Sequence, residues 1–512
     1  MRLSLLSKSA FSFAAVTFCF AVVFGTKPAT AASFSVVAEG LDNVRGLNFG
    51  PDGSLYITES GVGGDGRCIP GPSLEGLDSC IGTSGAVTRV KDGKQERILT
   101  RLPSVALRPV GATGEDPQDI QFDAAGNPYL LIGYGGNPTI RDFSENAPGW
   151  GQLYKVDFNT GSLTSLGDFA KYELANNAAG EVVLDTSGEI ASNPYGLAIK
   201  GNTAYVIDAA ANDILTVGLD GSNLKTFTVL PKQTITNPVF PTPGPGQVLP
   251  PDAPPPGQTP EEVEIQSVPT GAAFGPDGAL YVSEYTGFPF PVGKARIFRV
   301  GSDGEVTVYA DGFTQLCDLE FDPQGNLYTV QYSNAPQWSG VTDASLIQIA
   351  PDGTRTTLLS GNGLESATAL TIGLDSAVYV ANKGDRPGVG QVLRVDPKAK
   401  VPEPSVVIAI VAVGVLGLST LHKRKPKRIV LKKSSTDLSV FHEWFIISLC
   451  TLPNCKPPYT THSYLLHSDT RSVKRMRKAH AARTTERSRR SPLAYRLNQF
   501  ISFILCSLHR LL

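Results

Sequence analysis

The stretch ALYVSEYTGFPFPVGKARIFRV, Ala279–Val300, decides how the chain reads. It runs as a β-prone segment to Glu284, breaks into an aromatic, proline-bearing loop, and resumes as a second β-prone segment. Its first half completes TGAAFGPDGALYVSE (270–284), and that unit recurs. The other copies are RGLNFGPDGSLYITE (45–59), QDIQFDAAGNPYLLI (118–132), YGLAIKGNTAYVID (195–208), CDLEFDPQGNLYTVQ (317–331) and TALTIGLDSAVYVAN (368–382). Centres such as Pro-Asp-Gly or Gln-Gly-Asn supply the permissive backbone of a tight turn, and the flanks alternate apolar residues with others. A second hairpin follows in most copies, for example RIFRVGSDGEVTVYA (296–310) and LIQIAPDGTRTTLL (346–359). Four strands per copy and six copies predict an all-β, six-bladed β-propeller. The sixth copy offers QVLRVDP (391–397) as a third strand and no fourth, so FSVVAEGL (34–41) is predicted to complete that blade and close the ring.

Blade geometry then sorts the connections. Turns after first and third strands share one face and are tight. Connections after second and fourth strands share the other face and carry the irregular sequence at 60–84, 133–150, 232–266, 285–294, 332–343 and 383–390. Function is expected on this elaborated face. The proline-rich run 237–262 is expected to be extended, as a lid or as a solvated loop, and DFAKYELANN (168–177) reads as a short helix.

Residues 1–31 carry a basic start (Arg2, Lys8), an apolar run from Ala10 to Phe24 and small residues at Ala29 and Ala31, the pattern of a cleaved export signal. The propeller is assigned to 32–400. From 32 to 401 there are 42 Asp plus Glu against 23 Lys plus Arg, a balance of −19 that argues against nucleic acid as a partner. All six histidines lie at or beyond His422, so chemistry in the propeller proceeds without imidazole. That excludes a Ser–His–Asp triad, a Cys–His pair and a His-ligated zinc there. Cys68 and Cys80 bracket a Gly/Pro-rich loop and are expected to form a disulfide; Cys317, among apolar strand residues, is expected to be buried and inert.

The residues ending the six second strands are Glu59, Ile132, Asp208, Glu284, Gln331 and Asn382. Oxygen ligands of this kind suit Ca2+ or another divalent cation, with Glu59, Asp208, Glu284 and Asn382 as the candidate metal set and Asp119 and Asp318 as possible contributors. The alternative is structural: such side chains accept hydrogen bonds from nearby turns, and a repeated feature suggests a repeated cause. Loop aromatics Tyr134, Trp150, Tyr285, Phe288, Phe290 and Trp338 suit a planar or sugar ligand, or pack the loops onto the blades.

Two resemblances carry further expectations. SVPTGAAFGPDGALYVSEYTGFPFPVGKARIFRV (267–300), GEDPQDIQFDAAGNPYLLIGYGGNP (114–138) and LANNAAGEVVLDTSGEIASNPYGLA (174–198) resemble the ScyD/ScyE family of cyanobacterial propellers, over about residues 33–398. That likeness implies an exported protein, possible linkage to scytonemin biosynthesis, and no settled reaction. From Val401, VPEPSVVIAIVAVGVLGLSTLHKRK resembles a PEP-CTERM sorting signal, with the motif at Val401, Pro402, Glu403 and Pro404, an apolar segment at 406–421 and a basic cluster after it. It implies transient membrane association, processing by an exosortase-type protease and delivery to the cell envelope or extracellular matrix. The signal is assigned to 401–425. Residues 426–512 are basic, without repeats, and read as an unstructured tail from read-through or frameshift, or as a basic interaction segment.

The function expected is a non-catalytic binding or accessory protein for a small molecule, polysaccharide or protein. The rival is a divalent-metal-dependent hydrolase or lactonase of the gluconolactonase type. YGLAIKGNTAYVIDA (195–209) resembles a segment of those enzymes, with Asp208 at the ligand position, but Tyr195 stands where the ligating Asn would be.

Overall fold

The computed structural model describes residues 33–70, 77–139, 149–180, 190–242, 254 and 259–397. The export signal, the sorting motif, the apolar segment 406–421, the tail and most of the proline-rich run lie outside these residues.

Within them the chain is a six-bladed propeller. Blade 1 runs from its inner strand Val44–Phe49 through Leu55–Glu59 and Asp78–Lys91 to Lys94–Leu107. Blade 2 holds Asp119–Phe122, Pro128–Ile132, Gln152–Asp157 and Ser162–Asp168. Blade 3 holds Pro194–Lys200, Thr203–Asp208, Asp213–Gly218 and Lys225–Val229. Blade 4 holds Pro269–Phe274, Leu280–Glu284, Ala295–Val300 and Val306–Phe313. Blade 5 holds Leu316–Phe321, Leu327–Gln331, Asp343–Ile349 and Arg355–Glu365. Blade 6 holds Leu370–Ile372, Val378–Asn382 and Gly390–Val395, and Phe34–Leu41 is its fourth strand, paired from Phe34↔Val395 to Leu41↔Gly390. The ring closure expected from the sequence is the one found. Inner strands contact one another around the ring, blade 6 meeting blade 1. At that seam the Thr368 hydroxyl donates to the Val44 carbonyl at 2.6 Å, and Gly388 N–H donates to Asp42 Oδ1 at 2.7 Å.

Burial follows from the stacking of blades. Second strands lie between neighbouring blades on both faces, so Leu55–Glu59, Leu280–Glu284 and Leu327–Gln331 are buried at every residue. Each fully buried side chain such as Ile57 or Val282 contributes about 1.5–3 kcal/mol. Outer strands such as Lys225–Val229 face solvent and carry polar residues. The tight turns repeat one device. An aspartate accepts from a backbone N–H two residues on, as Asp277 does from Ala279 and Asp322 from Gln324, and also from a tyrosine hydroxyl on the next strand, Tyr281 or Tyr328. Gly278, at φ +77°, turns the chain where a side chain would be strained.

Three features stand on the elaborated face. Cys68 and Cys80 are joined by a disulfide across paired strands Cys68–Pro70 and Asp78–Lys91. The helix Phe169–Asn176 is capped by Asp168, whose side chain accepts from Lys171 N–H at 2.9 Å, and ends on left-handed Asn177. Strand Gln233–Thr236 pairs antiparallel with Glu262–Ile265 at the two ends of the proline-rich run, where the sequence suggests only extended chain. Among the described residues no helix is long and apolar enough to cross a membrane.

Candidate functional site

The second strands end on the residues read from the sequence: Glu59, Ile132, Asp208, Glu284, Gln331 and Asn382. The structure gives the polar ones a shared task. Each reaches back to the segment that leads into its own blade's inner strand. Glu59 Oε2 accepts from Asp42 N–H at 2.9 Å, and Asp208 Oδ1 from Asn193 N–H at 2.6 Å. Gln331 Oε1 accepts from Thr314 N–H at 2.9 Å, and Asn382 Oδ1 from Glu365 N–H at 2.8 Å. Glu284 Oε1 accepts from the Ser267 hydroxyl at 2.9 Å.

Remaining oxygens are also engaged. Glu284 Oε2 accepts from Arg296 N–H and Nε at 2.9 and 2.8 Å, and Oε1 accepts from Arg296 Nη2 at 2.5 Å. Burial pushes the Glu284 carboxyl above its ordinary value, against the pull of Arg296. Glu59 meets Arg97 in the same way, through Nε at 2.9 Å and Nη2 at 2.5 Å, and accepts from the Thr88 hydroxyl. Asp208 accepts from the Ser192 hydroxyl at 2.7 Å and from Ala210 and Ala211 N–H. Asn382 Nδ2 donates to Gly363 O and Gln391 Oε1. The candidate metal set is therefore four separate backbone clamps, with Asn382 also tying blade 6 to the last strand of blade 5 through Gly363 and Glu365. These residues do not fit a divalent ion: two carboxylates are neutralised by arginine, and Asp208 already takes four donors. Among the described residues no group of three or more His, Cys, Asp or Glu is placed to hold a metal.

Asp119 and Asp318, at equivalent positions of opposed blades 2 and 5, line the channel. Asp119 accepts from Leu197 N–H of blade 3 at 2.9 Å, and Asp318 from Leu370 N–H of blade 6 at 2.9 Å, so both tie adjacent inner strands together. Glu320 does the same with Ile372 N–H at 3.0 Å. Burial raises Asp119 and Glu320 to about 7 each and Asp318 well above its ordinary value, with repulsion from Asp119 adding to the rise of Asp318 and Glu320.

The loop aromatics divide. Tyr134 and Trp150 are buried, edge to face, against Ile81. They pack the loops of blades 1 and 2 and present no ring to a ligand. Tyr285, Phe288 and Phe290 form a half-buried cluster in which Tyr285 meets Phe290 and Tyr332, and Phe288 meets Phe240. Trp338 Nε1–H donates to Pro289 O at 2.9 Å and holds the blade 4 loop from blade 5.

This cluster leads to a site that the strand-end ring does not reveal. The first residue of each repeat unit, at or just before the inner strand, gives the set Arg45, Gln118, Tyr195, Thr270, Cys317 and Thr368. Thr270 and Thr368 donate to the next blade's carbonyls, Leu316 O and Val44 O. Arg45 is half-buried, donates through Nε and Nη2 to Gly114 O at 2.8 and 2.5 Å, and makes no ion pair among the described residues. Tyr195, Glu115, Cys317 and Tyr332 all act on its charge, and Tyr195 also faces Tyr285. Burial pushes the Cys317 thiol up to about 12, so it is no nucleophile near neutral pH. Tyr332 donates to Asp385 Oδ2 at 2.8 Å. On the blade 2 side, the Gln118 amide is buried without a hydrogen-bond partner among the described residues, and burial raises the neighbouring Asp116 carboxyl well above its ordinary value, against a backbone hydrogen bond from Gly133. The mouth thus combines one cation that makes no ion pair among the described residues, three phenol rings and the unpartnered Gln118 amide. Aligning the six copies on their inner strands, rather than on their strand ends, would have exposed Arg45 and Tyr195 in a column of mostly small or neutral residues.

No protein-family model and no curated protein matches the chain. Solved structures similar to it include a gluconolactonase from Xanthomonas campestris, at 11% identity and TM-score 0.38, covering 72% of this chain and 92% of that one. A virginiamycin B lyase from Staphylococcus aureus is similar at 12% identity and TM-score 0.34, covering 71% and 99%. A glucose dehydrogenase is similar at 14% identity and TM-score 0.38, covering 71% and 99%. These likenesses carry no functional argument; the fold rests on the blades themselves.

Proposed function

We propose that the protein is an exported, non-catalytic binding propeller of the cell surface or extracellular matrix, and that it holds a planar, anionic aromatic molecule at the channel mouth. The observation that carries this reading is Arg45: a half-buried guanidinium that makes no ion pair among the described residues, although the Glu115 carboxyl acts on its charge, set among Tyr195, Tyr285 and Tyr332. A carboxylate ligand would take a charge-assisted bond from Arg45, and an aromatic body would lie against the phenol rings. The orphaned amide of Gln118 would gain a partner at the same time. The engagement of Glu59, Asp208, Glu284 and Asn382 leaves the metal-dependent hydrolase reading without a ligand set. Export and surface placement are supported by the signal at 1–31, the motif Val401–Pro404 and the apolar segment 406–421, with an exosortase-type protease as processing partner. The likeness to ScyD/ScyE proteins supports an accessory role beside scytonemin biosynthesis.

All blades and the ring closure fall within 32–400, so that segment is the unit to test. Thermal shift with 4-hydroxyphenylacetate and with its neutral amide is the assay. The acid is expected to bind about 10- to 100-fold more tightly than the amide, as one charge-assisted bond predicts. Equal response to acid and amide would overturn the role given to Arg45.

A further inference from the structure

We propose that Glu173 and Asp213 form a proton-dependent latch that holds the helix Phe169–Asn176 against blade 3. Glu173 projects from the helix, and Asp213 opens the third strand of blade 3, opposite Asp208 on the second. Both side chains are fully buried, and among the described residues no N–H or hydroxyl donates to their four oxygens. The two carboxyls face each other instead. Among the described residues Asp208 is the other charge acting on them, and it is the wrong sign. Lys171 on the helix and Lys155 on the adjoining strand of blade 2 are exposed, and the Tyr172 hydroxyl is occupied by Thr226 N–H at 3.0 Å.

Asp208 takes four donors, which offset the burial that raises its carboxyl. Among the described residues its neighbours Glu173 and Asp213 have no donor except each other. Two ionised carboxylates cannot share such a site, whereas one proton between them makes a hydrogen bond from acid to carboxylate. Burial is the main cause that raises Glu173 to about 8 and Asp213 to about 9, with repulsion from Asp208 adding to both. The sign follows. Carboxyls raised in the folded state stabilise it fully below the ordinary carboxyl range, and that contribution is lost as pH rises through 8 to 9. The helix lies in the connection from blade 2 to blade 3 on the elaborated face, so loss of the proton loosens that connection while the blades persist.

Hydrogen exchange of the helix amides, corrected for intrinsic base catalysis, tests this on 32–400 in EDTA at pH 7 and pH 10. Protection at residues 171–177 is expected to fall at least tenfold at pH 10, with blade amides unchanged. In Glu173→Gln the amide donates to Asp213 without a titrating proton, and protection is expected to be equal at the two pH values. If that variant does not fold, Asp213→Asn performs the same test with the roles reversed. A wild type insensitive to pH, or a variant that loses protection as the wild type does, would overturn the latch. Protection at pH 10 restored by CaCl2 in the wild type alone would assign the pair to a cation and overturn it too.

Discussion

Replacing Glu284 by alanine tests the structural reading of the strand-end acids. The Glu284 side chain is fully buried, and its Arg296 partner is 14% exposed. The substitution strips three bonds from Arg296 and one from the Ser267 hydroxyl. Removing one partner of a buried ion pair costs about 3–5 kcal/mol, and the slight exposure of Arg296 places this case near the lower end. A propeller of about 365 residues unfolds with an entropy near 0.8 kcal/mol/K, by the usual ~2.1 cal/mol/K per residue. The expected fall in Tm is therefore about 4–5 °C by calorimetry on 32–400. The double variant Glu284→Met/Arg296→Met should regain at least half of it, because an apolar pair leaves no buried charge behind. A fall below about 1 °C in Glu284→Ala would refute the clamp.

Glu59→Ala should cost less, about 1–3 kcal/mol, because Arg97 is 45% exposed and water replaces part of the lost pairing; urea unfolding reads the difference. Thiol titration of folded 32–400 should find Cys317 unreactive at pH 8, and one thiol per chain should appear only in denaturant, with Cys68 and Cys80 remaining joined. Asp119 and Glu320, raised to about 7 from 3.8 and 4.5, stabilise the fold fully below about pH 4 and lose that contribution as pH rises through 7. Tm should therefore fall between pH 5 and 8, and Asp119→Asn should shrink the fall.

The architecture was legible because it repeats. Each copy carries a turn signal between alternating strands, and the second strands end where the alignment of copies places their last residues. The missing fourth strand of blade 6 pointed to Phe34–Leu41 for the same reason. Partners of the strand-end acids were not legible. Arg296 sits on the following strand, but Arg97 lies 38 residues beyond Glu59 on an outer strand, and no local pattern joins them. The hairpin Gln233–Thr236 with Glu262–Ile265 hides behind a long proline-rich insertion, so its pairing is non-local. Loop aromatics looked alike in sequence, yet Tyr134 and Trp150 pack inward while Tyr285 reaches the channel. Arg45 escaped notice because its role depends on Tyr195, Tyr285 and Tyr332 arriving from three other blades.

The most direct test of the binding account is calorimetric titration of 32–400 with 4-hydroxyphenylacetate and, separately, with CaCl2, in wild type and Arg45→Met. The account predicts saturable heat from the acid, weakened about 10-fold or more in Arg45→Met, and no binding of calcium at millimolar concentration. Acid binding unchanged in Arg45→Met, or calcium binding abolished by Asp208→Ala, would contradict it.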